Sequence, residues 1–314
     1  MTEGNNASPW GDLAIETLHL RKEFGRKVAV EDLTLTVPRG EIFGFLGPNG
    51  AGKTTAIKVL MGLVRATSGS ARLLGLPPQD MRAKERVGFL PELFRFHEWL
   101  TAEEFLDFHG QLYGMPLEKR KRRIPEVLEL VGLRNEGKNL LRTFSKGMQQ
   151  RIGLAQAILN DPEVVLLDEP TSALDPLGRR DVRDLMRYLK SQGRTVFLNS
   201  HLLSEVEMVC DRVAIIDHGR VIATGSLQEL LAAAVEVEIE AEDVTPAALE
   251  ELRGLGQSVE SVDGRIVVRL ADRESIPAVA EAVMRHGGKL YSLSRRRGSL
   301  EDLFIRVVEQ EESR

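Results

Sequence analysis

Two stretches near the start, Leu13–Leu20 (LAIETLHL) and Val28–Val37 (VAVEDLTLTV), alternate apolar and polar positions, the period-two pattern of half-buried strands. Pro38-Arg39-Gly40 predicts a turn, and Ile42–Leu46 a compact apolar strand. After a glycine-rich stretch the period becomes helical from Lys53, with Ala56, Ile57, Leu60 and Met61 on one face. Ser70–Leu74 and Val87–Leu90 read as further strands. Between Glu92 and Leu141 the pattern predicts a helical insertion. Its first helix opens at the capping box Thr101-Ala102-Glu103-Glu104 and runs to about Tyr113; its second covers Glu118–Val131. Another helix is expected over Met148–Leu159. Val164–Leu167 is a continuous apolar run, as expected of a strand covered on both faces. Strands near Thr195–Asn199 and Val213–Ile216 alternate with helices near Pro176–Gln192 and Leu203–Val209. This is a βα series, and it predicts an α/β fold with a mainly parallel sheet.

A second, smaller unit starts near Val235. VEVEIE alternates strictly, Thr245-Pro246 starts a helix, and two strands flank an Asp263-Gly264 hairpin turn. A helix over about Glu274–His286, a strand near Lys289–Leu293 and a last helix from Ser299 complete it. The order β-α-β-β-α-β predicts a small ferredoxin-like α+β domain. The expected division is therefore a polar, disordered lead-in at about 1–12, a large domain at 13–233 with a helical subdomain near 93–160, and a small domain at 235–310.

Composition changes this picture little. The chain has 314 residues, enough for one large and one small core, and a net charge of −5, which does not match nucleic acid as a partner. The single cysteine, Cys210, excludes an intrachain disulfide framework and fits a reducing cytoplasm as a buried apolar residue. No apolar stretch approaches the ~18 residues that span a bilayer. Met1–Trp10 has neither the basic start nor the apolar segment of a secretory signal. The expectation is a cytosolic protein, at a membrane only if a partner holds it there.

The chemistry lies in a few short segments. GPNGAGKTT (Gly47, Pro48, Asn49, Gly50, Ala51, Gly52, Lys53, Thr54, Thr55) stands between a strand and a helix. Its glycines let several backbone N–H groups face phosphate oxygens, Lys53 adds a point charge, Thr54 offers a hydroxyl for Mg²⁺, and the helix presents its positive end. Asp168 ends a buried strand and Glu169 follows it, so one carboxylate is placed to hold the metal and the other to deprotonate an attacking water. Both acids could instead cap a helix, a reading opposed by Pro170-Thr171, which should keep the chain extended past them. Ser145-Lys146-Gly147 opens a helix and forms a second anion-binding N-terminus. His201 follows the strand TVFLNS, where it could sense a γ-phosphate. Phe24 is open to two readings, a stacking platform for adenine or a core residue.

In this order GPNGAGKTT, FSKGMQQR (Phe144–Arg151), VVLLDEP (Val164–Pro170) and His201 resemble the ATP-binding subunits of ABC transporters, over about Leu13–Leu231. The resemblance implies a RecA-like P-loop core with antiparallel β and helical subdomains. It adds the adenine-stacking role for Phe24, Asp175 in the loop Ser172-Ala173-Leu174-Asp175, and a metal contact for Glu92, where the family usually has glutamine. The signature is Phe144-Ser145-Lys146-Gly147-Met148 instead of Leu-Ser-Gly-Gly-Gln, keeping the serine and second glycine that touch phosphate. Both departures, with the small C-terminal unit, are similar to the exporter branch containing daunorubicin-resistance, sodium-efflux and copper-processing ATPases.

That branch implies ATP and Mg²⁺ as cofactors, a homodimer sharing each ATP between the P-loop of one copy and Ser145 and Gly147 of the other, and a separate membrane permease. The C-terminal unit would help two copies associate. Phe94, Phe96 and Trp99 would line the permease groove, or else pack the helical lobe. The basic runs Lys119–Arg123 and Arg295–Arg297 are expected to be solvated, with lipid headgroups as the alternative. Competing functions are an importer subunit, whose extension would more often be a β-barrel, and a soluble ABC ATPase acting on ribosomes or DNA. The single cassette, short insertion and acidic charge oppose the latter.

Overall fold

A computed structural model describes residues 11–232, 235–262, 265–296 and 299–312; the Met1–Trp10 lead-in and the Asp263-Gly264 turn lie outside them. The chain divides into two compact units, one running to Gly225 and the other covering Ser226–Gln310.

In chain order the first unit contains β1 (Leu13–Phe24), β2 (Lys27–Pro38), β3 (Ile42–Leu46), α1 (Lys53–Leu60), β4 (Ser68–Leu73), the one-turn α2 (Met81–Lys84), β5 (Val87–Leu90), α3 (Ala102–Leu112) and α4 (Leu117–Leu130). It continues with α5 (Lys146–Ile158), β6 (Val164–Asp168), α6 (Pro176–Ser191), β7 (Thr195–Asn199), α7 (Leu203–Val209), β8 (Arg212–Asp217) and β9 (Arg220–Ser226). All nine strands form one sheet in the order β4-β1-β2-β9-β8-β3-β7-β6-β5. The run β8-β3-β7-β6-β5 is parallel, and β4-β1-β2 is antiparallel. The two parts meet where β2 pairs with β9. Neither β9 nor α2 follows from the chain's periodicity.

Strands β3, β6 and β7 are buried at every position, which explains their unbroken apolar runs. Phe197 of β7 packs between Phe43 and Phe45 of β3, with ring centroids 5.9 and 5.1 Å away. Register decides what happens at their carboxyl ends. Phe45 lies level with Asn199, and Asn199 with Asp168, so the loops after β3, β7 and β6 leave the sheet side by side. Ligands of open parallel sheets bind at this edge.

The helical insertion forms α3 and α4, packed on each other and on α5. Thr101 caps α3 by accepting the Glu104 N–H, while Glu104 accepts the Thr101 N–H at 2.8 Å. Phe94 and Phe96 pack edge-on against buried Phe105, whereas Trp99 is 71% exposed beside His97. Phe94 and Phe96 thus pack the helical lobe, and Trp99 stands out from it. In the basic run the expectation of a solvated face is corrected at Arg120 and Arg123 only. Arg120 reaches Asp107 and the Met115 carbonyl, and Arg123 reaches the carbonyls of Ile158 and Leu159; Lys119, Lys121 and Arg122 are exposed.

The second unit contains α8 (Leu227–Ala232), β10 (Val235–Glu242), α9 (Pro246–Leu255), β11 (Ser258–Val262), β12 (Arg265–Leu270), α10 (Ile276–Arg285), β13 (Lys289–Arg296) and α11 (Leu300–Glu312). Its sheet is antiparallel in the order β11-β12-β10-β13, the ferredoxin-like arrangement. Val237, Ile239, Val268 and Leu270 face a core shared with Leu252, Val279 and Val283. The alternate positions of these strands carry the ion pairs Glu236–Arg269 and Glu238–Arg265. Among the described residues no helix is long and apolar enough to cross a membrane.

Candidate functional site

At the carboxyl edge of β3, β7 and β6 a cleft of about 480 Å³ is lined by Asn49, Gly50, Gly52, Lys53, Thr54, Thr55, Glu92, Glu169, Asn199 and His201, joined by Lys27, Ala29 and Ser172. The loop after β3 folds as it does because two glycines permit it. Gly52, the N-cap of α1, has φ +100°, and a Cβ there would lie 2.3 Å from the Ala29 carbonyl oxygen. At Gly47 a Cβ would meet the Ile216 carbonyl oxygen at 2.3 Å. The Ala51 N–H closes the turn onto the Pro48 carbonyl at 3.2 Å.

Lys53 is buried, and its Nζ donates to the carbonyls of Gly47 (2.6 Å) and Pro48 (2.9 Å). Burial pulls its ammonium below the usual lysine range, against the opposing fields of Glu169, Asp168 and Glu92. A cation held by loop carbonyls and faced by three acids is ready to exchange those carbonyls for anionic oxygens.

Asp168 is 2% exposed. Burial pushes its carboxyl up, Asn199 Nδ2 donates to its Oδ1 at 2.5 Å and pulls it down, and Glu92 and Glu169 push it up. Glu169 is 8% exposed and lies in the left-handed region at φ +54°, a strained position for glutamate. Its N–H donates to the Asn199 carbonyl at 2.9 Å, and its carbonyl accepts from Ser172 Oγ at 3.1 Å. The chain therefore turns after Glu169, correcting the expectation that Pro170-Thr171 keeps it extended. The acids are nevertheless no helix caps: Asp175 caps α6, accepting the Gly178 N–H at 2.7 Å. Both oxygens of Glu169 meet His201, Oε1 at its backbone N–H (3.0 Å) and Oε2 at Nδ1 (2.8 Å).

Other expected residues lie elsewhere. Ser145 caps α5, accepting the Met148 N–H at 3.3 Å, and is exposed; neither it nor Gly147 lines the cleft. Asp175 is exposed and outside the lining as well. Phe24 is 50% exposed, with the Lys22 ammonium 4.6 Å from its ring centroid, so it is not a core residue. Sequence reasoning missed Lys27, Ala29, Ser172 and Asn199. Two gave a signal: Ser172 heads the loop that ends at Asp175, and Asn199 is a polar residue ending an apolar strand just before His201.

The donor set suits a hard divalent cation. Thr54, Asp168 and Glu92 offer oxygen alone, and among the described residues no cluster of three His, Cys, Asp or Glu side chains forms a complete cage. Magnesium is held in this way, by one or two protein oxygens with phosphates and water completing its shell. The buried Oδ1 of Asn199 has no hydrogen-bond partner, as at a site that a hydrated ligand completes.

Comparison with known proteins follows the same lines. Residues 30–172 match the ABC transporter family, and residues 225–308 match the DrrA1-3-like ATP-binding protein C-terminal domain. An uncharacterized ABC transporter ATP-binding protein of Synechocystis sp. is 44% identical over 90% of this chain and 79% of its own length. Nod factor export ATP-binding protein I of Ralstonia nicotianae is 34% identical over 93% and 92%. A solved ATP-binding subunit of an ABC transporter superposes with a TM-score of 0.65 at 31% identity, covering 70% of this chain and 92% of that one. With the P-loop, Glu169 and His201 around one cleft and Asp168 held beside it by Asn199, these likenesses establish that the chain belongs to the ABC transporter ATP-binding subunits, P-loop ATPases that serve transport.

Proposed function

We propose that this chain powers export through a separate membrane permease, as a head-to-tail pair of copies that closes on ATP and opens after hydrolysis. Export is supported by the DrrA-like C-terminal match and by the Nod factor export relative. The observation that carries the paired mechanism is the separation of two anion-binding elements. The P-loop lines a cleft with Glu169 and His201, while the start of α5, with Ser145 and Lys146 exposed and Gly147 half-buried, lines none of it. A second copy brings its Ser145 and Gly147 to the nucleotide, with Asp175 at the junction and Phe24 stacking on adenine. The C-terminal unit aids this association.

Within each cleft Lys53 and the loop N–H groups grip the phosphates. Thr54, Asp168 and Glu92 would hold magnesium, which would supply neutralisation of phosphate charge. Glu169 takes a proton from the attacking water. Its two oxygens are engaged by His201, so Oε2 is freed as the imidazole turns to the γ-phosphate; the histidine couples phosphate sensing to the base. ATP is cleaved to ADP and phosphate, and repulsion between the products and loss of the bridging group open the pair.

The permease holds the protein at the cytoplasmic face of the membrane, docking on the helical insertion where Trp99, Leu93 and Leu112 are exposed. Trp99→Ala is expected to keep the ATPase activity of the free protein within about twofold and to lose permease capture in a pull-down. A complex retained at unchanged yield would remove Trp99 from that face.

A further inference from the structure

Asn199, the last residue of β7, is 2% exposed, yet it contributes to the cleft wall. Three of its polar groups can be followed. Its carbonyl accepts the Glu169 N–H at 2.9 Å, and its Nδ2 donates to Asp168 Oδ1 at 2.5 Å. Its Oδ1 is buried with no hydrogen-bond partner. Because a carboxylate accepts, the amide must present nitrogen to Asp168, and this fixes the oxygen as the group left over. An unpaired buried amide oxygen is costly, so one retained in a cleft wall points to a donor that arrives with the ligand.

We propose that Asn199 is a positioning residue that fixes the Asp168 carboxylate for a hydrated divalent cation, its free Oδ1 accepting a hydrogen bond from a water of that cation's shell. This rests on the reading of Asp168 as the metal carboxylate. Magnesium keeps several of its waters when bound, so contacts through water are the ordinary means of holding it. Partners that orient a ligating carboxylate typically account for about 10–100-fold in metal affinity. The register carries the rest: Asn199 and Asp168 are level neighbours on adjacent parallel strands, so the amide reaches the carboxylate without strain from either loop.

The test is binding of a fluorescent ATP analogue to the full-length protein, with Mg²⁺ titrated and, separately, with EDTA. Asn199→Leu is expected to raise the half-saturating Mg²⁺ concentration about tenfold or more, with metal-free affinity unchanged within twofold. Asn199→Ser should shift it in the same direction by at least about threefold, since a hydroxyl lacks the reach of the amide. Asp168→Asn should show the large shift alone, and adding Asn199→Leu to it should add nothing, because the two act as a unit. If Asp168→Asn shifts the Mg²⁺ requirement but Asn199→Leu leaves it within twofold of the unsubstituted protein, the proposal is overturned. If Asp168→Asn itself changes nothing, the reading of Asp168 fails instead. Should Asn199→Leu lose metal-free binding through misfolding, Asn199→Ser decides on the same criterion.

Discussion

Glu169→Gln is expected to bind ATP with near-normal affinity while releasing phosphate at least about a hundredfold more slowly, since general-base assistance contributes ~10²–10⁴ in rate. Glutamine keeps the volume and the acceptor oxygen that receives the His201 N–H, so the geometry around the strained φ of +54° should survive. What it loses is the ability to accept a proton from water. It also loses the negative charge that helps to hold Lys53 cationic against desolvation. Steady-state phosphate release at saturating Mg-ATP, beside nucleotide binding, separates the two effects. Turnover within a few-fold of normal would remove Glu169 from the mechanism.

Lys53→Ala should fail earlier, at binding. The ammonium is the one loop cation buried among three carboxylates, and it already sits on the Gly47 and Pro48 carbonyls at the mouth of α1. Charge-assisted hydrogen bonds are worth about 1.5–3 kcal/mol each, so losing the phosphate contact predicts a rise in Kd of about tenfold to a hundredfold. The folded state should suffer less, since Gly47 and Pro48 are only half-buried and the carbonyls freed by truncation can bind water. Direct titration with an ATP analogue measures this, and a thermal melt checks the fold. An unchanged Kd would place the triphosphate elsewhere.

Much of this site was legible because the sequence signals are local. Strand β3, a glycine turn and α1 are consecutive, and the burial of β6 is written in its unbroken apolar run ahead of Asp168. The rest depends on neighbours distant in the chain. Asn199 stands out in the sequence only as a polar strand end, and its partner Asp168 becomes visible when β7 is laid beside β6; Lys27 and Ala29 join the cleft only through the packing of β2 near the P-loop. The turn after Glu169 was missed because a left-handed glutamate is set by the Asn199 carbonyl and Ser172, against its own preference. Strand β9 was missed for a similar reason. Its residues are only partly buried, and its place in the sheet is fixed by pairing across the chain to β2. Phe24 shows the limit from the other side: the segment was readable as a strand, but only the fold shows that its ring is half exposed.

The central claim, that nucleotide joins two copies through the P-loop of one and Ser145 of the other, is tested most directly by the mass of Glu169→Gln in sedimentation. The account predicts monomer without nucleotide, dimer with saturating Mg-ATP, and monomer again when Ser145→Arg is added to block the shared face. A monomer that persists with Mg-ATP across protein concentrations and with the permease present, or a dimer indifferent to both nucleotide and Ser145→Arg, would contradict it.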